Sequence, residues 1–235
     1  MYENLSLLLD TADKRLAELK AEYEKSLAAK SISLEATQLT HEVCEKLRSA
    51  LDRVARRYWE IHVAPNLSDE DRAKAIIYFP VVSKVEAFDA VIGKWRWKSI
   101  RQDHEEVYRF LEQRQPYHDG QSWLLVLSDI ANASKHVDLI PQKRFEQRRV
   151  SVSRSGAGGV SWGAGVTFGG GVSIMGAPID PRTQRIVPTA GVTETLETWV
   201  SFIVEGHNVN ALGFCQRAAK EVRLIVTEMS ERFGL

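Results

Sequence analysis

The chain has 235 residues, with 31 basic and 31 acidic side chains, two cysteines and 15 glycines. Its formal neutrality excludes the general attraction to phosphate that a strongly basic protein has, so any contact with nucleic acid must come from a local patch. The two cysteines lack the paired spacing of a disulfide framework or a thiolate zinc site, which argues against both, and no stretch has the hydrophobicity of a membrane span. These features predict a cytoplasmic protein.

Residues 1–64 are predicted to form two long helices. Apolar residues recur at steps of three and four from Leu5 to Tyr23 and again from Val43 to Ile61, which places them on one stripe of each helix. The pattern fits either an antiparallel hairpin within one chain or a seam between two chains. We expect self-association through residues 1–64.

Residues 65–140 are predicted to form a helical core. The three-residue offset of a capping box occurs twice, at Ser83 with Glu86 and at Ser99 with Gln102. These boxes predict helices over about 84–94 and 100–115. A very apolar helix follows between residues 120 and 138, and its composition indicates a place in the core.

Residues 141–205 are predicted to form a glycine-rich antiparallel sheet, because the hydrophobic period changes there from 3.6 to 2. Predicted strands lie at 145–153, 160–168 and 171–176 and within 192–205. The alternating apolar side chains of the second strand are expected on one face: Val160, Trp162, Ala164, Val166 and Phe168.

Residues 206–235 are predicted to contain a last helix, from about 209 to 232, that packs back. Helices first, sheet second and helix last make an α+β fold, without the strand and helix alternation of a parallel nucleotide-binding sheet. The predicted segments are therefore 1–64, 65–140, 141–205 and 206–235.

Three familiar motifs are incomplete. The run Gly159–Gly163 matches G-x-S-x-G, and a partial dinucleotide loop begins at Gly163, but neither leads into the helix that its chemistry requires. The run His41–Glu45 has the first half of a zinc-protease helix, yet Glu45 stands where the second histidine belongs. We predict an exposed helical face at His41, no metal site and no cofactor.

Polar residues on the apolar helix and on its neighbours form a candidate catalytic cluster. Asn132 and His136 follow Asp129 at i+3 and i+7 on one stripe. His104 lies on the apolar stripe of the preceding helix, and His118 lies in the loop between the two. If the helices pack together, these side chains could converge as general acid and base. The alternative is a structural role, with Asn132 tying down the loop and His136 next to the helix C-terminus.

The residues around this cluster resemble a group of uncharacterised bacterial proteins. The shared pattern is QPYH-x-G, here at Gln115–Gly120, then an N/D-x-x-KH helix, here at Asn132–His136, and a strand-rich C-terminal part. The similarity spans roughly residues 75–230. The resemblance implies that this region folds as one domain, and it implies no particular activity.

A second similarity is to the HEPN group of helical ribonucleases, whose Arg-x4–6-His motif acts on RNA without a metal ion. Arg57 and His62 fit with four residues between them, and Arg56 fits with five. Tyr58 stands where that group often has a polar residue. Arg57 and His62 would be about 140° apart around a continuous helix, so a bend near Pro65 is needed to bring them together.

Two basic regions are candidate binding surfaces. Between residues 94 and 101, cations alternate with tryptophans: Lys94, Trp95, Arg96, Trp97, Lys98 and Arg101. They could hold phosphates and stack bases, or the tryptophans could fill the core. The stretch from Pro141 to Arg185 contains seven basic and two acidic residues, and Arg144, Arg148 and Arg149 are close together in sequence. This net charge of +5 could attract nucleic acid or an acidic protein.

The sequence thus favours a binding or regulatory module without an evident catalytic centre. The alternatives are a metal-independent ribonuclease that uses His62 or His136, and a nucleic-acid-binding module that uses the segment 94–101 and the basic sheet.

Overall fold

The structure, a computed structural model, describes residues 3–29, 31–97, 100–136, 139–154, 156–163 and 165–235. The helices are α1 (Glu3–Ala29), α2 (Leu34–His62), α3 (Asp69–Lys74), α4 (Phe88–Gly93), α5 (Ile100–Asp103), α6 (Glu105–Glu112), α7 (Trp123–His136) and α8 (Ala211–Phe233). The strands are β1 (Gln142–Arg154), β2 (Gly158–Gly163), β3 (Ser173–Ile174), β4 (Ala177–Asp180), β5 (Arg185–Ile186), β6 (Val192–Val204) and β7 (Val209–Asn210). The predicted α+β class is confirmed.

The first two helices pack side by side because the connection between them is short. Ser33 caps α2 by accepting a hydrogen bond from the backbone N–H of Ala36. Most residues of the two predicted stripes belong to the core, with Leu9 and Leu47 fully buried, whereas Ile61 at the end of the second stripe is only partly buried. Helix α2 also contacts α7 and α8, so it is the central helix. The stripe of α1 is therefore already covered within one chain.

Helix α8 has a capping residue at each end. Asn210 accepts a hydrogen bond from the backbone N–H of Gly213, and Gly234 adopts the left-handed conformation (φ +67°) that ends many helices. Its apolar side packs against α1, α2 and α7. No helix in the described parts of the chain is both long enough and apolar enough to cross a membrane.

The predicted capping boxes of the middle segment need correction. A short 3-10 turn at Val85–Ala87 leads into α4, and no side chain caps either start, so Ser83 does not act as a cap. Ser99 lies outside the described residues. The predicted helix over 100–115 is divided at His104 into α5 and α6.

The prediction that His41 lies on an exposed helical face is wrong, because only 1% of its surface is exposed. The backbone N–H of Ile140 donates to its Nε2 (2.9 Å), so Nε2 is unprotonated and Nδ1 donates to the carbonyl of Ile130 (3.1 Å). His41 therefore ties α2 to α7 and to the chain just before β1.

Cys44 on α2 and Cys215 on α8 are buried free thiols, and Cys215 Sγ donates to the backbone carbonyl of Thr40 (3.9 Å). The neighbouring Cys215 thiol and the burial of the site raise the pKa of the Cys44 thiol well above its ordinary value. The two residues are distant in sequence, but the packing of α2 against α8 brings them together.

The chain divides into two compact units, residues 1–143 with 203–235, and residues 144–202. The four-stranded sheet has the order β2–β1–β6–β7, and β1 pairs with β2 in antiparallel register, with Val152 opposite Val160. Strands β3, β4 and β5 form a second, three-stranded sheet. Residues 144–202 have a small core of their own: Val152, Trp162, Ala177, Ile179 and Ile186.

The predicted apolar face of residues 160–168 is only partly correct. Strand β2 ends at Gly163, where a turn follows with a hydrogen bond from the N–H of Val166 to the carbonyl of Gly163. Trp162 is buried, whereas Val160 and Val166 are exposed. Ala164 lies outside the described residues. A glycine does make the predicted turn before β2, since Gly156 has a φ of +79°.

Candidate active site

The C-terminal end of α2 carries an aromatic pair. Tyr58 and His62 are one helical turn apart, so they lie on the same face, and their ring centroids are 4.7 Å apart. The helix ends at His62 because Pro65 begins the next turn and cannot continue it. His62 is thus the last residue of α2, directly before the chain turns.

The end of α8 fixes the orientation of His62. Its Nε2 lies 2.8 Å from the backbone carbonyl oxygen of Phe233. Because a carbonyl oxygen can only accept, Nε2 carries a hydrogen and donates it. Nδ1 is then the nitrogen of His62 that is left to exchange a proton with a ligand.

His104 lies between α5 and α6, with φ −145° and ψ 56°. Its Nδ1 is 3.1 Å from the hydroxyl oxygen of Tyr58, and its ring meets the edge of Trp97 at a centroid distance of 4.5 Å. These contacts place its ring centroid 6.2 Å from that of His62.

Arg96 stands between two tryptophans that point into the protein. Trp95 is fully buried and Trp97 is 8% exposed, whereas Arg96 is exposed. The backbone of Arg96 has a φ of +61°, a conformation that is uncommon for a residue other than glycine. Such backbone strain is typical of functional sites, where the surrounding structure maintains it.

His62, His104 and Arg96 line one cavity of about 470 Å³. The other lining residues come from the chain after α2, from α3 and from the chain between α4 and α6: Val63, Asn66, Leu67, Asp71, Trp97 and Asp103. Two imidazoles, one guanidinium and two carboxylates thus share one space. Such a set can transfer protons and neutralise a negative charge.

The surroundings of the site act on its titratable groups. Burial lowers the pKa of His104, and the nearby charge of His62 lowers it further, while Asp103 opposes both effects. Burial raises the pKa of Tyr58, so its side chain stays a neutral phenol. His104 is therefore mainly unprotonated at neutral pH. In the part of the chain that is described, no three His, Cys, Asp or Glu side chains are arranged to hold a metal ion.

The structure does not bring the predicted histidine and asparagine cluster together. His118 contacts Glu112, with Nε2 2.8 Å from Oε1. Asn132 lines a different cavity from the one that His104 lines. The side chain of His136, at the end of α7, lies outside the described part of the structure. His104 instead contacts the hydroxyl of Tyr58 on α2.

The predicted pair of Arg57 and His62 also needs correction. Helix α2 continues without a break through His62, so the two side chains remain about 140° apart around its axis. His62 lines the cavity, and the cation that lines it with His62 is Arg96.

In the segment 94–101, the structure favours the core position of the tryptophans. Trp95 donates a hydrogen bond to the carbonyl of Tyr78, so it cannot stack on a base. Lys94 is exposed. Lys98 and the side chain of Arg101 lie outside the described residues.

The basic sheet is partly neutralised. Arg144 forms an ion pair with Glu146, and Arg185 forms one with Glu194 (2.9 Å). Arg149 is exposed, and the side chain of Arg148 is not among those described. Glu146 is already included in the net charge of +5 for residues 141–185, whereas Glu194 lies beyond that stretch, so the second ion pair leaves less positive charge for a partner than the sequence count implies.

Sequence reasoning did not select Tyr58, Asp71 or Asp103 as site residues. Tyr58 is one turn before His62, and this i, i+4 spacing could have identified it. Asp71 and Asp103 carry no such signal, since their proximity depends on how three segments pack.

Comparisons of this chain with protein-family models, with curated proteins and with solved structures gave no match.

Proposed function

We propose that the protein is a metal-independent ribonuclease whose acid–base pair is His62 and His104. The supporting observation is that these two imidazoles and the guanidinium of Arg96 line one cavity, although they come from three separate segments. Each of the three residues had been selected from the sequence for a different reason.

The lowered pKa of His104 suits the role of general base, because an unprotonated imidazole can accept a proton. In the proposed reaction, His104 takes the proton of a ribose 2′-hydroxyl, and the 2′-oxygen bonds to the adjacent phosphorus. His62, as the general acid, donates a proton from Nδ1 to the 5′-oxygen as the P–O5′ bond breaks. The products are a 2′,3′-cyclic phosphate and a free 5′-hydroxyl.

Other groups of the cavity have supporting roles in this proposal. Arg96 neutralises the negative charge that grows on the phosphate oxygens in the transition state. Tyr58 and Phe233 orient the two imidazoles through the hydrogen bonds described above. Asp71 and Asp103 can accept hydrogen bonds from the amino groups of bases.

Localisation and self-association are further proposals. Two buried free thiols suit a reducing compartment such as the cytoplasm. Self-association through residues 1–64 would use side chains outside the buried stripes, such as Leu7 and Leu34, which are exposed.

The test is incubation of the purified protein with mixed single-stranded RNA in EDTA. We expect RNA fragments that end in a 2′,3′-cyclic phosphate, and no cleavage at a nucleotide that lacks the 2′-hydroxyl. His62→Ala and His104→Ala should each lower the rate by about 10²- to 10⁴-fold, since each removes one proton transfer.

His118→Ala is the matched control, because His118 is a partly exposed histidine held by Glu112 outside the cavity. Its rate should be unchanged. Equal losses in all three variants would contradict the assignment to this cavity. RNA that shifts on a gel without being cleaved would favour the binding module over the ribonuclease.

A further inference from the structure

Strand β2 forms an open edge of the four-stranded sheet. It is the outermost strand of the order β2–β1–β6–β7, and among the described residues no strand pairs with its other side. Natural proteins usually block such an edge with charged side chains, proline or a bulge. The sequence of β2, Gly-Gly-Val-Ser-Trp-Gly, has neither a charge nor a proline, and its register with β1 is continuous from Gly158 to Gly163. The edge is therefore open to a further strand.

The spacing between β1 and β2 shows which backbone groups of β2 face the free edge. Gly159 lies opposite Ser153, and a Cβ at Gly159 would be 3.4 Å from the Cβ of Ser153. Side chains come this close in the non-hydrogen-bonded pairs of an antiparallel ladder, whose N–H and C=O groups point away from each other. Because the direction alternates along a strand, the N–H and C=O of Gly159 and Ser161 face outward, whereas those of Val160 face β1.

Val160 is an exposed apolar residue on this edge. It lies opposite Val152 of β1 and two residues from Trp162, so the three side chains are on one face of the sheet. Val152 is fully buried and Trp162 nearly so, whereas Val160 is 46% exposed. The apolar face of the sheet thus reaches the edge strand, where Val160 is left in solvent.

A second copy of β2 fits this edge in both hydrogen bonding and side chains. Two antiparallel copies, related by a twofold axis perpendicular to the sheet, can pair with Val160 opposite Val160. Gly159 of each copy then lies opposite Ser161 of the other, so every outward N–H of these residues meets an outward C=O. The two valines form a non-hydrogen-bonded pair, in which side chains are closest, and cover each other. Neither β2 strand brings a charge that would oppose the pairing.

We propose that two copies of this protein associate through antiparallel pairing of their β2 strands, with Val160 opposite Val160. The two four-stranded sheets then become one sheet of eight strands. This surface lies within residues 144–202, so it is separate from the self-association proposed for residues 1–64. A six-residue edge buries an area at the low end of interface sizes, so the dimer is expected to be weak and reversible.

The first test is sedimentation equilibrium of the full chain at concentrations from about 1 to 500 µM, a range suited to a small interface. We expect the mass to rise from that of one chain toward that of two. Ser161→Pro removes an N–H that faces outward and is not used in the ladder to β1, so the fold should be kept. The dissociation constant should rise at least about tenfold, because the pairing uses this N–H twice. Ser161→Ala, which keeps the N–H, is the matched control and should associate like the wild type.

The second test determines the register by cross-linking. In a non-hydrogen-bonded pair the Cα atoms are about 4.5 Å apart, within the range that a disulfide spans. Val160→Cys should therefore form a covalent dimer on mild oxidation. Ser161→Cys is the control, because position 161 lies opposite Gly159 of the second copy, and it should cross-link far less. The native thiols, Cys44 and Cys215, are buried and should not contribute.

The proposal is overturned if the wild type keeps the mass of one chain at about 500 µM, or if a folded Ser161→Pro variant associates like the wild type. Association that is lost with Leu7→Glu and kept with Ser161→Pro would place the interface on residues 1–64 instead. Equal cross-linking of Val160→Cys and Ser161→Cys would contradict the register, and this result decides the question even if Ser161→Pro does not fold. Since RNA cleavage is not measured, failure here and failure of the ribonuclease proposal are separate results.

Discussion

Gln115 shows how a polar residue in a recognisable motif can serve the fold. It is fully buried, and its amide accepts a hydrogen bond from the N–H of Val82 and donates to the carbonyls of Pro80 and Leu111. One side chain thus joins the end of α6 to the chain before α4. The first residue of the QPYH motif therefore has a structural role in this chain.

Replacing Gln115 by leucine should lower the free energy of unfolding by about 2–4 kcal/mol, because buried backbone groups lose their partners. Urea denaturation measures this change. Gln113→Leu, which changes an exposed glutamine two residues earlier, should have an effect within about 0.5 kcal/mol. Similar losses in both variants would contradict the role given to the three hydrogen bonds.

His41 should make stability depend on pH. Burial lowers the pKa of His41 in the folded chain, whereas an unfolded histidine titrates near pH 6.5. From about pH 6.5 downward, the unfolded chain takes up a proton that the folded chain does not, so the free energy of unfolding falls until the folded pKa is reached.

The measurement is urea denaturation at several values between about pH 7.5 and 5. His41→Gln can keep both hydrogen bonds without titrating, so it should show a smaller loss of stability over this range. Because other groups titrate there too, the difference between the two proteins is the relevant quantity. An identical pH dependence would exclude His41 as the cause.

The burial of His41 could not be predicted from its neighbours in sequence. Its hydrogen-bond partners, Ile130 and Ile140, are 89 and 99 residues away. The incomplete zinc-protease motif at His41–Glu45 predicts an exposed face, because it leaves His41 without a metal to bind. Helix α2 packs against α1, α7 and α8, so some of its polar residues, such as Thr40 and Arg48, are buried as well.

At the scale of elements, the long periodic segments were predictable. Helices α1, α2 and α8 and strand β6 lie close to their predicted ranges, because each has a sustained hydrophobic period or a clear cap. The break at His104 was not predictable. The backbone hydrogen bonds from His104 to Ile100 and from Tyr108 to His104 keep helical spacing, and only the dihedral angles of His104 depart from it.

The candidate active site was predictable in pieces and not as an assembly. His62 was selected by its spacing from Arg57, His104 by its position on an apolar stripe, and Arg96 by its tryptophan neighbours. Their meeting depends on α2, the chain at 94–104 and the end of α8, which pack in the same core. Local patterns contain no information on such packing, so the partners predicted for His62 and His104 differ from the residues that line the cavity with them.

At the scale of the whole molecule, the division into two units has consequences for stability. Among the described residues of 144–202, few apolar side chains are buried, and the largest in their cluster, Trp162, packs against Phe168 at 5.1 Å between ring centroids. The helical unit has a far larger core. Free energies of local opening differ between such regions of one protein.

Trp162→Ala should therefore destabilise residues 144–202 by about 3–5 kcal/mol, the usual cost of removing a large buried aromatic side chain. Native-state amide hydrogen exchange should become faster in that unit and stay unchanged in α2 and α8. Val160→Ala, in the same strand but exposed, should change exchange little. If Trp162→Ala accelerates exchange equally in α2 and α8, the two units unfold as one, and the sheet depends on the helical core for its stability.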